Sequence, residues 1–206
     1  DFDRQLLEAS GTDEVVILPT AAAYEHPDRV AATAAHWFEG LGASTRAVMA
    51  VDRPGAHDTA HVDAVRKARF LYLSGGSPMH LRSVLARSPL WDAIEAAWRD
   101  GAVLAGSAAG AMVLCDPMVD TRGGAFTVGL GLVGQMALVT RVDTWTDDKL
   151  SRTLQLAPKG LPVVGVDQAT ALLHDHGARW RAVGVGDVTV WVDGQEATLD
   201  DLPDVG

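Results

Sequence analysis

One stretch of the chain has the residue types and spacing to place a reactive group. It reads Ala102-Val-Leu-Ala-Gly106-Ser107-Ala108-Ala109-Gly110-Ala111-Met112, an apolar run that passes through small residues into the start of a helix. Gly106 and Gly110 stand two residues before and two after Ala108. That is the spacing of a nucleophile elbow, a sharp strand-to-helix turn that presents one side chain at the carboxyl end of a strand. The flanking glycines let the backbone fold back without Cβ clashes. A serine or cysteine at the tip would attack an acyl carbon, but Ala108 offers no nucleophile. Ser107 is next to it. Were Ser107 the tip, Ala105 and Ala109 would replace the two glycines, so the frame favours Ala108.

A second stretch could complete such a site. Phe70-Leu-Tyr-Leu-Ser74-Gly75-Gly76-Ser77-Pro78 ends an apolar run in two glycines before a helix that begins near Pro78. Backbone N–H groups in a glycine turn beside a helix N-terminus can point at an oxyanion or a carboxylate. Gly75, Gly76 and Ser77 are therefore candidate binding residues, and His80 lies on the first turn of that helix, where capping or surface placement competes with a role in the site. The lone cysteine, Cys115, stands seven residues past Ala108, two turns along the predicted elbow helix, where buried packing is the ordinary fate of a free thiol. His57 and His61 have helical i, i+4 spacing, but no Glu lies between them and no third ligand is evident. Neither a metal nor a cofactor is expected.

These residues need a scaffold, and the rest of the chain supplies the pattern of one. Short apolar runs alternate with amphipathic stretches through residue 106, the pattern of βα units. The expected fold is α/β: a three-layer αβα sandwich on a mostly parallel, doubly wound sheet. Residues 180–185 and 188–192, with the Asp193-Gly194 turn, read as an antiparallel hairpin at the sheet edge. Residues 120–127, with Gly123 and Gly124, read as the most mobile loop. Residues 1–10 read as a helix entered without the strand that would precede it.

With 206 residues, 48% of them hydrophobic, there is material for one sizeable core, so a single domain over 1–206 is expected. The formal charge of −10 gives a surface that repels phosphate backbones, which argues against a nucleic-acid partner. The six Trp read as core or interface filling rather than as a stacking surface, and with the small-residue helices they suggest a homodimer. A single cysteine closes no intramolecular disulfide, no apolar run reaches membrane-span length, and no signal pattern is evident, so a cytoplasmic setting without membrane attachment is expected.

Both glycine turns, taken in order with Gly165-Val-Asp-Gln168-Ala-Thr170-Ala171, resemble the peptidase S51 family, which includes aspartyl dipeptidase and cyanophycinase. The resemblance extends from Val15 to about Val192 and takes in Val113-Leu-Cys-Asp-Pro-Met118 and Gly129-Leu-Gly-Leu-Val133. It implies a class I glutamine amidotransferase-like fold and a serine nucleophile assisted by a histidine and an acidic residue. Members of that family cleave peptide or isopeptide bonds next to aspartate. This chain departs from the pattern at each of those places. Ala108 falls where the family has its serine, and Ser107 where it has a threonine or small residue. The family's histidine follows the glycine-leucine run on the next strand; the matching stretch reads Val139-Thr-Arg-Val-Asp143-Thr-Trp145, so Trp145 or a close neighbour holds that place. No histidine lies between His80 and His174. The Gly-Ile-Asp-Glu-like segment reads Gly165-Val-Asp167-Gln168, a neutral amide in place of a carboxylate.

Three readings follow. In the first, the chain is a non-catalytic relative that binds a small peptide, an acidic amino-acid derivative or a protein partner through Gly75, Gly76, Ser77, Ser107, Ala108, Asp143 and Gln168, with Trp145 as an apolar wall that a ligand can stack on. The second is a rewired hydrolase in which Ser107 is the nucleophile and His80, His174 or His176 the base. A third enzyme class would use Cys115 or an Asp.

Overall fold

The computed structural model describes residues 2–205 except 176 and 178. It divides into two compact units, Asp1–Ala111 and Met112–Gly206.

The first unit is an alternation of strands and helices, as the sequence pattern predicts. Helix α1 (Phe2–Ser10) leads into β1 (Glu14–Leu18); α2 (Pro27–Gly40) precedes β2 (Ser44–Ala47); α3 (Arg53–Ala56) and α4 (Thr59–Arg66) precede β3 (Phe70–Leu73). Then come α5 (Pro78–Leu85), α6 (Pro89–Arg99), β4 (Val103–Gly106) and the single turn α7 (Ala109–Met112), in which the unit ends. The four strands form a parallel sheet in the order β2-β1-β3-β4. Strand side chains alternate between faces. Val15, Ile17 and Phe70 pack with Phe38 and Ala31 of α2, and Leu6, Leu7, Tyr72, Val103 and Ala105 close around them. Val16, Leu18, Leu71 and Leu73 face the other way and are equally buried, as are the apolar stripes of α5 and α6. Burial on both faces is why these strands read as continuous apolar runs rather than as alternating ones.

In the second unit two short pairs come first: β5 (Cys115–Asp116) runs parallel to β8 (Val133–Gly134), and β6 (Met118–Val119) antiparallel to β7 (Phe126–Thr127). Residues 120–125 close the second pair, with Asp120 N–H donating to Ala125 O at 2.7 Å. Strand β9 (Ala137–Thr140), helix α8 (Asp147–Leu156), β10 (Val163–Val166), β11 (Thr170–His174), β12 (Trp180–Gly184), β13 (Val188–Val192) and β14 (Gln195–Ala197) follow. A mixed sheet has the order β14-β13-β10-β9, with only β9 and β10 parallel. Met112, Val119, Ala137, Val139, Leu161 and Val163 make its core.

Two sequence expectations change here. Residues 180–184 and 188–192 do not pair with each other: β12 pairs with β11, and β13 lies between β10 and β14. The Asp193-Gly194 turn does make a hairpin, but it joins β13 to β14. The link between β12 and β13 is redirected by side chains, since Gly186 N–H donates to Thr170 Oγ1 at 2.8 Å and Asp187 N–H to Asp167 Oδ2 at 2.9 Å. The predicted elbow helix is also shorter than expected. It lasts one turn, and Cys115 lies on β5 rather than two helical turns past Ala108. Among the six tryptophans, Trp37 alone is largely exposed, and its indole N–H donates to Asp3 Oδ2 at 2.9 Å. Among the described residues, no helix is long and apolar enough to cross a membrane.

Candidate functional site

The carboxyl ends of β1, β3 and β4 are held side by side by bonds that continue the sheet ladder past the strands. Ser74 N–H donates to Leu18 O at 3.1 Å, and Ser107 N–H to Leu73 O at 2.9 Å. The chain then reverses into α7 with Ala108 at the tip, in the left-handed region at φ 48°. Gly110 N–H donates to Ser107 O at 2.9 Å and Ala111 N–H to Ala108 O at 3.1 Å, so the helix starts at once. The two flanking glycines are required by packing. A Cβ on Gly106 would lie 2.5 Å from Ala111 N, and one on Gly110 would fall on the Leu73 carbonyl. A residue with a side chain costs about 1–2 kcal/mol in the left-handed region, and Ala108 stays there because the turn on both sides leaves no other path.

The Gly75-Gly76 turn meets this tip. A Cβ on Gly75 would lie 3.3 Å from Ala108 Cβ and 3.6 Å from Ser107 O. Ala108, Ser107 and Gly75 are all half-buried, and Gly76 is exposed. Ser77 is committed to structure: its N–H donates to Ala21 O at 2.8 Å, and its hydroxyl caps α5 by accepting from His80 N–H at 3.2 Å. His80 is directed elsewhere as well, with Nε2 2.8 Å from Val51 O and its ring 4.9 Å from Tyr24, edge to face.

Ser107 has a partner that the sequence reading missed. It is the Tyr72 phenol, whose ionised form Ser107 favours. Burial pushes the Tyr72 phenol above its ordinary value; Ser107 opposes that shift, and the charge of Asp3 adds to it. Tyr72 pairs with Ala105 in the β3–β4 register, and Ser107 lies two residues farther along on the same face. Only the strand register reveals this pair.

Asp143 and Gln168 come together in the second unit. Asp143 is in a 3-10 turn after β9, and Gln168 follows β10, the parallel neighbour of β9. Gln168 N–H donates to Asp143 Oδ1 and Gln168 Nε2 to Oδ2, each at 3.0 Å. These bonds hold the Asp143 carboxyl below the usual carboxylate range, so the charged, paired form persists as pH falls through that range. Trp145 is not the open wall expected from the sequence. It is half-buried against the core of its unit, and Lys149 Nζ lies 3.7 Å from its ring centroid, occupying one face.

The remaining candidates make other local contacts. The His174 ring lies 4.7 Å from that of Trp180, and His176 lies outside the described residues. His57 ends α3, whereas His61 is on α4 with Nδ1 2.9 Å from Gly55 O, so the two do not share a helix face as their spacing suggests. The helix breaks between them because Asp58 caps α4, accepting from Ala60 N–H at 2.7 Å. Among the described residues, no group of three His, Cys, Asp or Glu side chains could hold a metal ion.

Cys115 is fully buried, and burial pushes its thiol up to about 12, with Asp116 adding to the shift and a backbone bond to Leu138 opposing it. At pH 8 about one molecule in ten thousand would carry the reactive thiolate. Native protein treated with iodoacetamide at pH 8 is therefore expected to stay unlabelled by mass spectrometry, and guanidine-unfolded protein to take up one equivalent. Rapid native labelling would instead restore Cys115 as a candidate nucleophile.

With this geometry in place, comparison with known proteins gives a consistent result. The model of peptidase family S51 matches residues 2–178. A cyanophycinase of Geminocystis herdmanii is 27% identical over 204 residues, spanning 91% of this chain and 72% of its own length. One from a Nostoc species is 26% identical, spanning 93% and 67%. The crystal structure of a peptidase from an acI-B1 Actinobacterium superposes with a TM-score of 0.84 at 27% identity, covering 95% of this chain and 86% of that one. This similarity accords with the α/β class read from the sequence and with a class I glutamine amidotransferase-like sandwich.

Proposed function

Given that the chain belongs to peptidase family S51, we propose that it is a non-catalytic member which keeps the nucleophile-elbow backbone and uses the space beside it to bind a small peptide or an acidic amino-acid derivative. The observation that carries this reading is Ala108, a methyl group at the tip of a turn whose flanking glycines are both required by packing. Acyl transfer needs a nucleophile at that tip and a base within hydrogen-bond reach of it. Ser107 stands beside the tip rather than at it, and His80 is bonded to Val51 O. Gln168 spends its amide on Asp143. What remains at the tip is the backbone of the turn and its glycine neighbour Gly75, which we assign to holding a ligand. Cytoplasmic residence and a homodimer belong to the same proposal.

The test is hydrolysis of a panel of aspartyl dipeptides and β-aspartyl isopeptides by the purified protein, with Ala108→Ser and Ser107→Ala alongside. No turnover above a buffer blank is expected from the unmodified protein. Turnover that disappears in Ser107→Ala would overturn the proposal and identify a working peptidase with Ser107 as its nucleophile.

A further inference from the structure

Strand β4 pairs with β3 on one side and, among the described residues, with no strand on the other. In a parallel pair, alternate residues turn their N–H and C=O groups toward the neighbour. Val103 N–H donates to Arg69 O and Ser107 N–H to Leu73 O, each at 2.9 Å, so Val103, Ala105 and Ser107 face β3. The main-chain groups of Leu104 and Gly106 therefore face the free edge. All four residues of β4 are half-buried, whereas β1 and β3 are buried along most of their length. Main-chain donors and acceptors in such a place need partners, and a row of them is a template for another strand.

The handedness of the crossovers decides which strand fits. Helices α1 and α2 pack on the same face of the sheet, where Leu6 and Leu7 of α1 join Ala31 and Phe38 of α2 against Val15, Ile17 and Phe70. From β1, α2 carries the chain to β2, on the side away from β3. Crossovers between parallel strands are right-handed, so a helix on that face carries the chain in that one direction. A strand feeding α1 is then displaced from β1 toward β3 and β4. The places between β1, β3 and β4 are taken, and the free one is beyond β4. Helix α1 reaches that side of the sheet, where it lies against β4. We infer that the free edge of β4 takes one further parallel strand, extended, apolar and joined to the amino end of α1. It is apolar because α1 covers it as α2 covers β1. Paired with Leu104 and Gly106, it holds the last strand residue before Ser107 and Ala108 from both sides, so the tip rests on an inner strand. This inference stands apart from the binding function proposed above.

The experiment extends the protein ahead of Asp1 with the sequence of β1, Glu-Val-Val-Ile-Leu, and a short Gly-Ser linker. The parent and a control extension, Glu-Pro-Val-Pro-Leu, which cannot complete a ladder, run beside it. Amide exchange at Leu104 and Gly106 is read by NMR, and stability by urea unfolding. The expected result is that exchange at both amides slows by about tenfold or more in the first extension alone, with a later urea midpoint. Unchanged exchange at the two amides, or equal slowing by the control, overturns the inference. Strong protection in the parent also overturns it, because the edge is then covered already, by a second copy if the protection grows with protein concentration. The same pentapeptide free in solution at equal concentration is expected to protect neither amide. If it protects as well as the extension does, the link to α1 has no part in choosing the strand and the inference fails.

Discussion

Gly110→Ala is expected to lower the stability of the protein by about 3 kcal/mol, the upper part of the range for forcing an extra methyl into a packed interior. The new Cβ would fall on the Leu73 carbonyl and lie 2.8 Å from the Leu73 side chain, and a strand backbone in mid-sheet cannot step aside as a flexible side-chain end can. Leu73 O also accepts from Ser107 N–H, so displacing it pulls on the bond that sets β4 beside β3 at the turn. Gly123→Ala is the control, because a Cβ there meets nothing within 4 Å, and a change within about 0.5 kcal/mol is expected. Urea unfolding followed by tryptophan fluorescence measures both. If Gly110→Ala costs less than about 1 kcal/mol, α7 moves easily and the left-handed conformation of Ala108 is not fixed by its neighbours.

Both glycine turns could be read from the sequence because the information is local. Gly106 and Gly110 frame Ala108 by spacing alone, and the structure gives each glycine a steric reason. The α/β class was equally legible, since strands buried on both faces leave apolar runs that any window detects. Features that depend on register were not legible. Ser107 meets Tyr72 only because β4 lies beside β3 with Tyr72 opposite Ala105, and no spacing within either strand announces that offset. The same limit explains the misread hairpin: Asp193-Gly194 specifies a turn, but which strand lies across from β12 is decided by Thr170 and Asp167, which redirect the next link. The short elbow helix is a third instance. Residues 111–115 could continue a helix by propensity, yet the chain leaves after Met112 to pair β5 with β8, and a Cβ on Gly129 would fall on the Cys115 carbonyl. Tertiary packing overrides local preference there.

Phe38→Ala is expected to cost about 3–5 kcal/mol, the usual range for truncating a buried phenylalanine. The ring is 1% exposed and lies edge-on to two others, 5.5 Å from Phe70 and 5.1 Å from Tyr72, so its removal leaves a void bounded by β1, β3 and α2. The second ring contact ties this core position to the candidate site, since Phe38 packs against Tyr72, whose register partner Ala105 stands two residues before Ser107. Burial is the largest cause of the raised Tyr72 pKa, so loss of that packing lets water reach the phenol and moves its titration down toward the ordinary value. The chain has one other tyrosine, Tyr24, which is 85% exposed and far less dependent on this core. Ultraviolet titration of Phe38→Ala under folding conditions should therefore show one of the two phenols ionising at lower pH than in the parent, together with an earlier urea midpoint. An unchanged phenol titration in a destabilised variant would show that the surroundings of Tyr72 are kept by the strand register without help from Phe38.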